Sequence, residues 1–358
     1  MAQVKWGVLG AGGIAMRRTL PGAVPGARSA RFICLMDVRE EAAKTAAAQF
    51  GVAKTCASEE AVLRDPEVQA VYIATPVAEH GRQIVAAAKA GKHVLVEKPV
   101  ALNTAQAEQA IAACEKAGVL LGCGYMMRFH SLNVAARDLV ARGELGRVVA
   151  GRAQLTCWYP KIPAAWRQDP AAGGGGSLMD MGSHCIDLLE FIAGSKAAAV
   201  MAYNQSLVQD YRAEDTSTVI MRLESGAQMI VDSHFNVPDA ASRGLLEIYG
   251  TKGALYGKGT IGQMPTGRIT AMLSDQGEYD AQQERVPSTR TFDLEAEPLN
   301  MYAAEIEQFS QAILTGGRPV VDGEEALWNL KVVEACYRSS LEGREVAVGT
   351  RHKEKGKR

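Results

Sequence analysis

The stretch "VKWGVLGAGGIA" (residues 4–15) decides the fold of the amino-terminal half of the chain. Its apolar residues predict a buried β-strand over 4–10, and the glycines that follow break that strand. Gly10 permits a tight turn, Gly12 lets a pyrophosphate approach the backbone, and Ala15 lets a helix pack closely on the strand. The turn therefore predicts a dinucleotide-binding site, although a glycine-rich turn without any ligand has the same pattern.

An acidic residue further along supports the nucleotide site. Asp37 ends the second predicted strand (31–37) and lies about 20 residues beyond the glycines, where a carboxylate accepts hydrogen bonds from the adenosine ribose. Such an acid repels a 2′-phosphate, so NAD(H) is favoured, while the nearby Arg39 keeps NADP(H) open. An ordinary turn aspartate is the alternative for Asp37. The candidate cofactor-binding residues of this region are Gly10, Gly12, Gly13, Ile14 and Asp37.

Strands and helices alternate through the first third of the chain. Apolar strands are predicted at 31–37, 70–76, 93–97 and 119–125, and helices at 40–51, 78–92 and 104–118. This rhythm predicts an α/β fold with a doubly wound parallel sheet. After residue 125, longer alternating segments predict antiparallel strands, with a hairpin at Ser225-Gly226. The predicted domains are 1–124 and 125–345, followed by a basic, frayed tail at 346–358.

The bulk composition excludes several classes of protein. The 358 residues suggest about two domains, and 47% of them are apolar. A formal net charge of -1 provides no basic field for nucleic acid, and no apolar run reaches the roughly 18 residues of a membrane span. The amino terminus does not resemble a signal peptide, so we expect a cytoplasmic protein. The 7 cysteines contain no CxxC pair, which predicts reduced thiols and neither a disulfide framework nor a zinc site.

The fourth predicted strand ends in charged residues. The stretch "HVLVEKPVAL" (93–102) runs from apolar residues into Glu97, Lys98 and Pro99. Open α/β sheets bind ligands at the carboxyl ends of their strands, so Lys98 is a candidate to donate to a substrate oxygen, positioned by Glu97. Pro99 stiffens the exit and is a candidate for a cis peptide bond. A surface ion pair between Glu97 and Lys98 is the alternative.

A second candidate segment is "GGGGSLMDMGSHCIDLLEFIAG" (173–194). Its apolar residues recur at helical spacing, and Gly194 ends the helix. Asp180 and His184 share one helix face, and Asp187 is placed to orient the ring of His184 for acid–base work. The glycine run permits close approach of a ligand to the helix start. The alternatives are an ordinary polar helix face, a pair of metal ligands without a third, and a merely flexible glycine loop.

Several motifs, in order along the chain, resemble the glucose–fructose oxidoreductase / inositol dehydrogenase / MocA family. They are "GVLGAGGIA", "YIATPVAEHGRQIVAAAKAGKHVLVEKPV", "GYMMRFH", "GELGRV" and "GGGGSLMDMGSHCIDLL". The resemblance implies a Rossmann domain, then an α/β domain with a large, open-faced, mostly antiparallel sheet through which homodimers or homotetramers form. It also implies hydride transfer between NAD(H), or NADP(H), and a secondary alcohol or ketone of a sugar, cyclitol or glycoside.

The same resemblance implies roles for individual residues. Lys98, Asp180 and His184 match the catalytic positions, with His184 as the proton acceptor in oxidation. The further cofactor-binding candidates are Thr75, Pro76, His80, Glu97 and Lys98. The candidate substrate-binding residues are Arg128, Trp158, Tyr159, Trp166, Arg167, His234 and Asn236, and packing is the alternative for each tryptophan. No metal is expected.

Three other functions stay open for this sequence. The first is an NADP-dependent keto-sugar reductase, and the second is redox-assisted glycoside cleavage with tightly held NAD. The third belongs to a different class, a non-catalytic protein that senses NAD(H) or a sugar. The presence of both Lys98 and His184 argues against this third function.

Overall fold

A parallel sheet forms the amino-terminal half of the computed structural model, which describes residues 2–274, 281 and 289–349. Its strands are β1 (Val4–Leu9), β2 (Ala30–Met36), β3 (Lys54–Cys56), β4 (Ala70–Ile73), β5 (His93–Glu97) and β6 (Leu121–Gly124). They run in the order β3-β2-β1-β4-β5-β6, and every neighbouring pair is parallel. The predicted doubly wound sheet is confirmed, and its strand order reverses beside β1, where such sheets bind ligands.

Helices pack on both faces of the parallel sheet. They are a π-helical turn (Ala15–Thr19), α1 (Leu20–Gly26), α2 (Glu40–Phe50), α3 (Glu59–Arg64), α4 (Val77–Lys89) and α5 (Thr104–Ala117). The side chain of Asn103 caps α5 by accepting from the backbone N–H of Gln106, as the sequence predicts. Residues of β1 divide between two apolar clusters, with Trp6 and Val8 on one face and Leu9 on the other.

The second sheet is mostly antiparallel. Its strands are β7 (Val148–Thr156), β8 (Ala197–Gln205), β9 (Thr216–Leu223), β10 (Gln228–His234), β11 (Leu245–Gly250), β12 (Gly253–Lys258), β13 (Arg268–Ser274), β14 (Thr289–Asp293) and β15 (Val346–Ala347). The order is β14-β13-β12-β11-β7-β10-β9-β8-β15, and β7 with β10 is the parallel pair among them. The predicted hairpin joins β9 to β10, and Gly226 in its turn has a φ of 88°. The predicted large sheet is confirmed.

Helices cover one face of this second sheet, and its other face is open. The helices of the carboxyl-terminal half are α6 (Ser131–Ala141), α7 (Pro170–Gly173), a second π-helical turn (Leu178–Gly182), α8 (Ser183–Ala193), α9 (Met301–Thr315) and α10 (Gly323–Glu342). Helix α8 packs on β7, and α10 packs on β8. Residues paired across neighbouring strands face the same side, so the open face carries the exposed side chains of Tyr203, Ile220, Ile230, Tyr256 and Met272.

Helix α9 returns the chain to the parallel sheet. The indole Nε1 of Trp6 on β1 donates to the Ser310 hydroxyl at 3.1 Å, and Phe309 joins the apolar cluster around β1. The predicted domain boundary after residue 124 therefore separates the two sheets. It assigns α9 to the second domain, although α9 packs on the first sheet. The second sheet also reaches β15, beyond the predicted boundary at 345, while residues 350–358 of the predicted tail lie outside the described residues.

Two further expectations from the sequence concern the cysteines and membrane-spanning segments. Cys34 on β2 and Cys56 on β3 form a disulfide, whereas the cysteines at 114, 123, 157, 185 and 336 are free. The prediction of reduced thiols is therefore wrong for this pair, because neighbouring strands bring together residues that are 22 positions apart. Within the residues that the structure describes, no helix is long and apolar enough to cross a membrane.

Candidate active site

Lys98 joins the parallel sheet to the second half of the molecule. It follows β5 directly, and its peptide bond to Pro99 is cis. Its Nζ donates to Oδ1 of Asp180 at 2.8 Å and also to the Asp180 carbonyl oxygen. Only 10% of the Lys98 side chain is exposed. Lys98 thus forms a partly buried ion pair with Asp180, which joins the two halves of the molecule. It does not form the surface ion pair with Glu97 that was the alternative.

Asp180 is shared by two cations. Its Oδ1 accepts from Lys98 Nζ and, at 3.2 Å, from the Nε of Arg167. Burial alone would raise the pKa of Asp180, but the charges of Lys98 and Arg167 outweigh it and hold this pKa below its ordinary value. An ionised carboxylate only accepts hydrogen bonds, so Asp180 orients the two cations and does not donate a proton.

His184 lies just beyond Asp180, where the π-helical turn Leu178–Gly182 continues into α8. The ring is buried, with its centroid 5.8 Å from that of Tyr125 in an edge-on arrangement. Burial and the charge of Lys98 lower the pKa of His184 well below its ordinary value, although Asp180 opposes this. The imidazole is therefore neutral near pH 7 and able to accept a proton. Its Nδ1 has no hydrogen-bond partner among the described residues.

Arg128 and Asp187 do not have the roles that the sequence suggests. Arg128 lies in the 3-10 turn Met126–Phe129, and its guanidinium donates to the carboxylate of Asp187 at distances between 2.6 and 3.1 Å. It also donates to Oε2 of Glu325 on α10 at 2.9 Å. Both partners of the main pair are buried, so the guanidinium of Arg128 is engaged within the protein. Asp187 likewise binds Arg128, so its carboxylate does not serve as the hydrogen-bond partner of the His184 ring that the sequence suggests.

The glycine run serves the packing of the helix that carries Asp180. A Cβ at Gly175 would overlap the hydroxyl of Tyr337, and one at Gly176 would overlap the backbone of Glu214. The Glu214 carboxylate accepts from the backbone N–H of Gly176 at 2.8 Å and of Leu178 at 3.0 Å, and from the Tyr337 hydroxyl at 2.8 Å. The glycines thus allow Tyr337 and Glu214 to pack closely on this segment. The sequence suggests instead that they allow a ligand to approach. Sequence reasoning missed Glu214 and Tyr337, which belong to no periodic or motif pattern.

The glycine turn after β1 fits a dinucleotide. Gly10 has a φ of 91°, and a Cβ there would overlap the backbone at Ala74. The N–H of Gly12 donates to Oδ2 of Asp37 at 2.7 Å, and the N–H of Arg39 donates to Oδ1 at 2.9 Å. Asp37 is therefore held at the turn with lone pairs left to accept from a ribose. Gly13 and Ile14 follow in the same turn and lead into the π-helical turn Ala15–Thr19.

His80 connects the two loops that lead into the site. Its Nδ1 lies 2.8 Å from the Pro99 carbonyl oxygen, and its Nε2 lies 3.0 Å from the Thr75 carbonyl oxygen. Burial lowers the pKa of His80, and the two carbonyl contacts oppose this. Pro76 precedes α4 as its N-cap residue. Because the ring of His80 is buried between these backbones, it holds the loop after β4 against the Lys98-Pro99 turn.

The candidate substrate residues divide into two groups. Arg167 stacks over the ring of Trp166, 4.0 Å from its centroid, and bonds Asp180. Burial raises the pKa of Tyr159, which the nearby Arg167 opposes, and its ring packs 4.9 Å from that of Phe235. These side chains therefore surround the Lys98–Asp180 contact.

The remaining candidates lie at the edge of this group or are engaged elsewhere. The side chain of Trp158 is exposed, and its backbone forms an isolated antiparallel β-bridge with Asn236. The side-chain amide nitrogen of Asn236 donates to Asp215 and Thr216. His234 ends β10, and its Nδ1 is buried without a partner among the described residues. Burial lowers the pKa of His234. Asn236 is thus held by the protein, whereas Trp158 remains accessible.

Fold and site together define an oxidoreductase built on an NAD-binding Rossmann domain. Residues 4–125 match the model of the oxidoreductase family with the NAD-binding Rossmann fold, and residues 133–256 match the GFO/IDH/MocA C-terminal domain. The chain belongs to this family, as its motifs suggest.

Characterised relatives match along nearly the whole chain. The 1,5-anhydro-D-fructose reductase of Ensifer adhaerens is 30% identical over 347 residues, which is 97% of this chain and 99% of the relative. D-xylose 1-dehydrogenase (NADP(+)) 2 of Haloferax volcanii is 30% identical, covering 96% of this chain and 99% of the relative. The crystal structure of aldose-aldose oxidoreductase from Caulobacter crescentus, complexed with glycerol, superimposes with a TM-score of 0.85 at 30% identity, covering 96% of this chain and 99% of that one.

Proposed function

We propose that the enzyme transfers hydride between a nicotinamide cofactor and a secondary alcohol or ketone of a sugar, cyclitol or glycoside. The observation that carries the proposal is the meeting of Lys98, Asp180 and His184, which come from both halves of the chain, beside the carboxyl end of β5. The three relatives reported above are named for reactions of sugars or sugar derivatives, and their names supply the substrate class.

Each residue of this group has a task in the proposed reaction. The nicotinamide, when bound, accepts or supplies the hydride. The Lys98 ammonium donates to the substrate oxygen and stabilises negative charge that develops on it. Asp180 fixes Lys98 and Arg167, and the neutral His184 takes the hydroxyl proton in oxidation and returns it in reduction. Arg167, stacked on Trp166, offers donors to further hydroxyls of the ring.

The turn after β1 and the Asp37 carboxylate hold the cofactor in this proposal, with the loop of Thr75 and Pro76 beside it. Asp37 favours NAD(H). An NADP-dependent reductase is the second candidate, because the Arg39 side chain is 71% exposed and its Nε lies 3.5 Å from Oδ1 of Asp37, where the guanidinium can meet a 2′-phosphate. Comparing NADH and NADPH affinity in the wild type and in Asp37→Ser separates the two. A wild type that binds NADPH more tightly than NADH would favour the second candidate.

We also propose that the protein is a cytoplasmic homodimer or homotetramer that associates through the open face of the second sheet. The support is the apolar side chains exposed on that face, among them Ile220 and Ile230, which are paired across β9 and β10. Size-exclusion chromatography with light scattering at micromolar concentration should show an oligomer for the wild type, and Ile220→Arg should release monomers. A wild type that is monomeric at micromolar concentration would exclude this arrangement.

The proposed reaction is tested with a panel of sugars, polyols and cyclitols and two variants. Lys98→Met and His184→Ala should bind NADH as the wild type does and lose turnover by about 10²- to 10⁴-fold, because each removes a positioned donor or proton acceptor. Lys89→Met, at an exposed position on α4, is the matched control and should leave turnover unchanged. Near-normal kcat in either active-site variant would remove the role assigned to that residue. No cofactor reduction or oxidation with any compound would favour a non-catalytic sensor, and NAD that copurifies would point to redox-assisted cleavage.

A further inference from the structure

Asn329 is a buried amide that joins three elements of the molecule. It lies on α10, and only 2% of the residue is exposed. Its Oδ1 accepts from the hydroxyl of Tyr125, which directly follows β6, at 2.8 Å. Its Nδ2 donates to the carbonyl oxygen of Ser183, the first residue of α8, at 3.0 Å. The proposed reaction gives this amide no task.

The two partners require an amide at position 329. The carbonyl oxygen of Ser183 can only accept, so it needs the Nδ2 donor, and the Tyr125 hydroxyl then donates to Oδ1. Leucine has a similar shape but neither group, and an ionised aspartate lacks the donor. Replacing both partners of a buried hydrogen bond by apolar groups of the same shape can be nearly neutral for stability. Stability alone therefore does not explain why an amide lies here.

Both contacts of Asn329 lead to His184. Ser183 immediately precedes His184, so the Nδ2 contact fixes the backbone from which the imidazole extends. The ring of Tyr125 lies edge-on to the imidazole, with the centroids 5.8 Å apart and the planes at 75°. The Nδ1 of His184 has no hydrogen-bond partner among the described residues, and the carboxylate of Asp187 is engaged elsewhere. The imidazole is thus held by its backbone and by packing, and Asn329 bonds to both supports.

We propose that Asn329 is a positioning residue, which holds the imidazole of His184 in place through the Ser183 carbonyl and the Tyr125 ring. Tyr125 follows a strand of the parallel sheet, whereas Ser183 belongs to the second half of the chain. The amide therefore also fixes His184 relative to the domain that holds the cofactor. The hydroxyl proton and the hydride leave adjacent atoms of the substrate, so an error in this relative position slows the reaction. The inference rests on the proposed function, because it takes His184 as the proton acceptor.

The test compares Asn329→Leu with Ser339→Ala as the matched control. Ser339 lies on the same helix and is equally buried, and its hydroxyl accepts from a backbone N–H of β8 and donates to a backbone carbonyl. We expect kcat to fall by about 10- to 100-fold in Asn329→Leu, because His184 is misplaced. NADH affinity, measured by nicotinamide fluorescence, should stay within about threefold of the wild type. The solvent deuterium isotope effect on oxidation should increase, because proton transfer becomes slower. Ser339→Ala should change neither kcat nor the isotope effect.

A second measurement needs no substrate. The NMR chemical shifts of the His184 ring protons, assigned by their loss in His184→Ala, report the position of the ring beside Tyr125. They should change in Asn329→Leu and in Tyr125→Phe, which loses only the hydroxyl, and should stay unchanged in Ser339→Ala.

Unchanged His184 shifts in Asn329→Leu, or a kcat in that variant as high as in Ser339→Ala, would overturn the proposal. Should Asn329→Leu fail to fold, Tyr125→Phe decides by the same two criteria. A chain that turns over no carbohydrate can still show the change in the His184 shifts. Failure of the proposed function and failure of this inference are therefore distinguishable.

Discussion

Asp180 and Asp187 belong to one helical segment and both bind basic side chains that follow strands of the parallel sheet, yet their environments differ. Asp180 binds Lys98 and Arg167, and 27% of its side chain is exposed. Asp187 binds Arg128, and 2% of its side chain is exposed. The first carboxylate faces the region where the candidate substrate residues gather, whereas the second is closed off by protein on every side.

This difference in burial distinguishes a carboxylate that can take part in a reaction from one that only stabilises the fold. A buried, bidentate ion pair is satisfied only by its own partner, so it fixes the two elements that carry it and offers nothing to a ligand. A partly exposed carboxylate with two cations leaves donors on those cations that a substrate oxygen can use. Both residues are aspartates within about one helical turn of His184, and burial decides which of them can act.

The largest effect is expected from breaking the buried pair. Arg128→Met leaves Asp187 without its partner inside the protein and should lower the free energy of unfolding by about 3–5 kcal/mol. Urea denaturation followed by circular dichroism measures this. Arg137→Met is the matched control, since Arg137 lies over the same Phe191 ring but is half exposed, and it should cost less than about 1 kcal/mol. Equal losses in the two variants would contradict the distinction between the two sites.

A substitution of the partly exposed Asp180 should lower turnover more than it lowers stability. Asp180→Asn removes the negative charge that holds Lys98 and Arg167, so we expect kcat to fall by about 10²-fold, equivalent to about 2.7 kcal/mol, with a smaller loss of stability than in Arg128→Met. Steady-state kinetics and urea denaturation on the same preparations separate the two effects. A variant with normal kcat and a large loss of stability would show that Asp180, like Asp187, is structural.

Much of the fold follows from local patterns in the sequence. The glycine turn, the apolar strands and the capped or glycine-terminated helices predict the parallel sheet, because each signal lies within one element and its ends. β3 and α3 are too short to show a periodic pattern, and they are missed. The return of α9 to the first sheet and the Cys34–Cys56 pair are also missed, since both depend on contacts between distant parts of the chain.

The candidate site is less predictable than the fold. The sequence suggests Lys98, Asp180 and His184 because each follows a recognisable strand end or helix face, and the structure brings them together. Residue type and periodicity alone do not show that Asp187 is buried in an ion pair while Asp180 is partly exposed, because burial depends on the whole packing. Glu214 carries no local signal either, because only the folded chain brings it near the backbone N–H groups of Gly176 and Leu178.

Both aspartates depend on the start of their helix, which Glu214 caps. Glu214→Gln leaves one acceptor oxygen for the two N–H groups of Gly176 and Leu178 and removes the charge at the helix start. We expect a loss of about 1 kcal/mol in unfolding free energy, as for other caps, and a decrease in kcat of less than about tenfold. Tyr337→Phe, which removes only the hydroxyl donor to Glu214, should cost less. A larger loss of turnover than in Asp180→Asn would mean that Glu214 has a direct part in the reaction.

The smallest expected effect concerns acid pH, and it distinguishes His184 from an exposed histidine. Because burial and Lys98 lower its pKa, His184 stays neutral at a pH where an exposed histidine is already charged. The proton acceptor in oxidation must be neutral, so kcat/KM for oxidation should stay flat as the pH falls through about 6.5, the ordinary value for histidine. The unfolded chain binds a proton there that folded His184 does not, so the free energy of unfolding should decrease as the pH falls below that value. His184→Gln should reduce that decrease. An acid limb of kcat/KM centred near pH 6.5 would show that His184 is more exposed in the working enzyme than the buried ring of this structure.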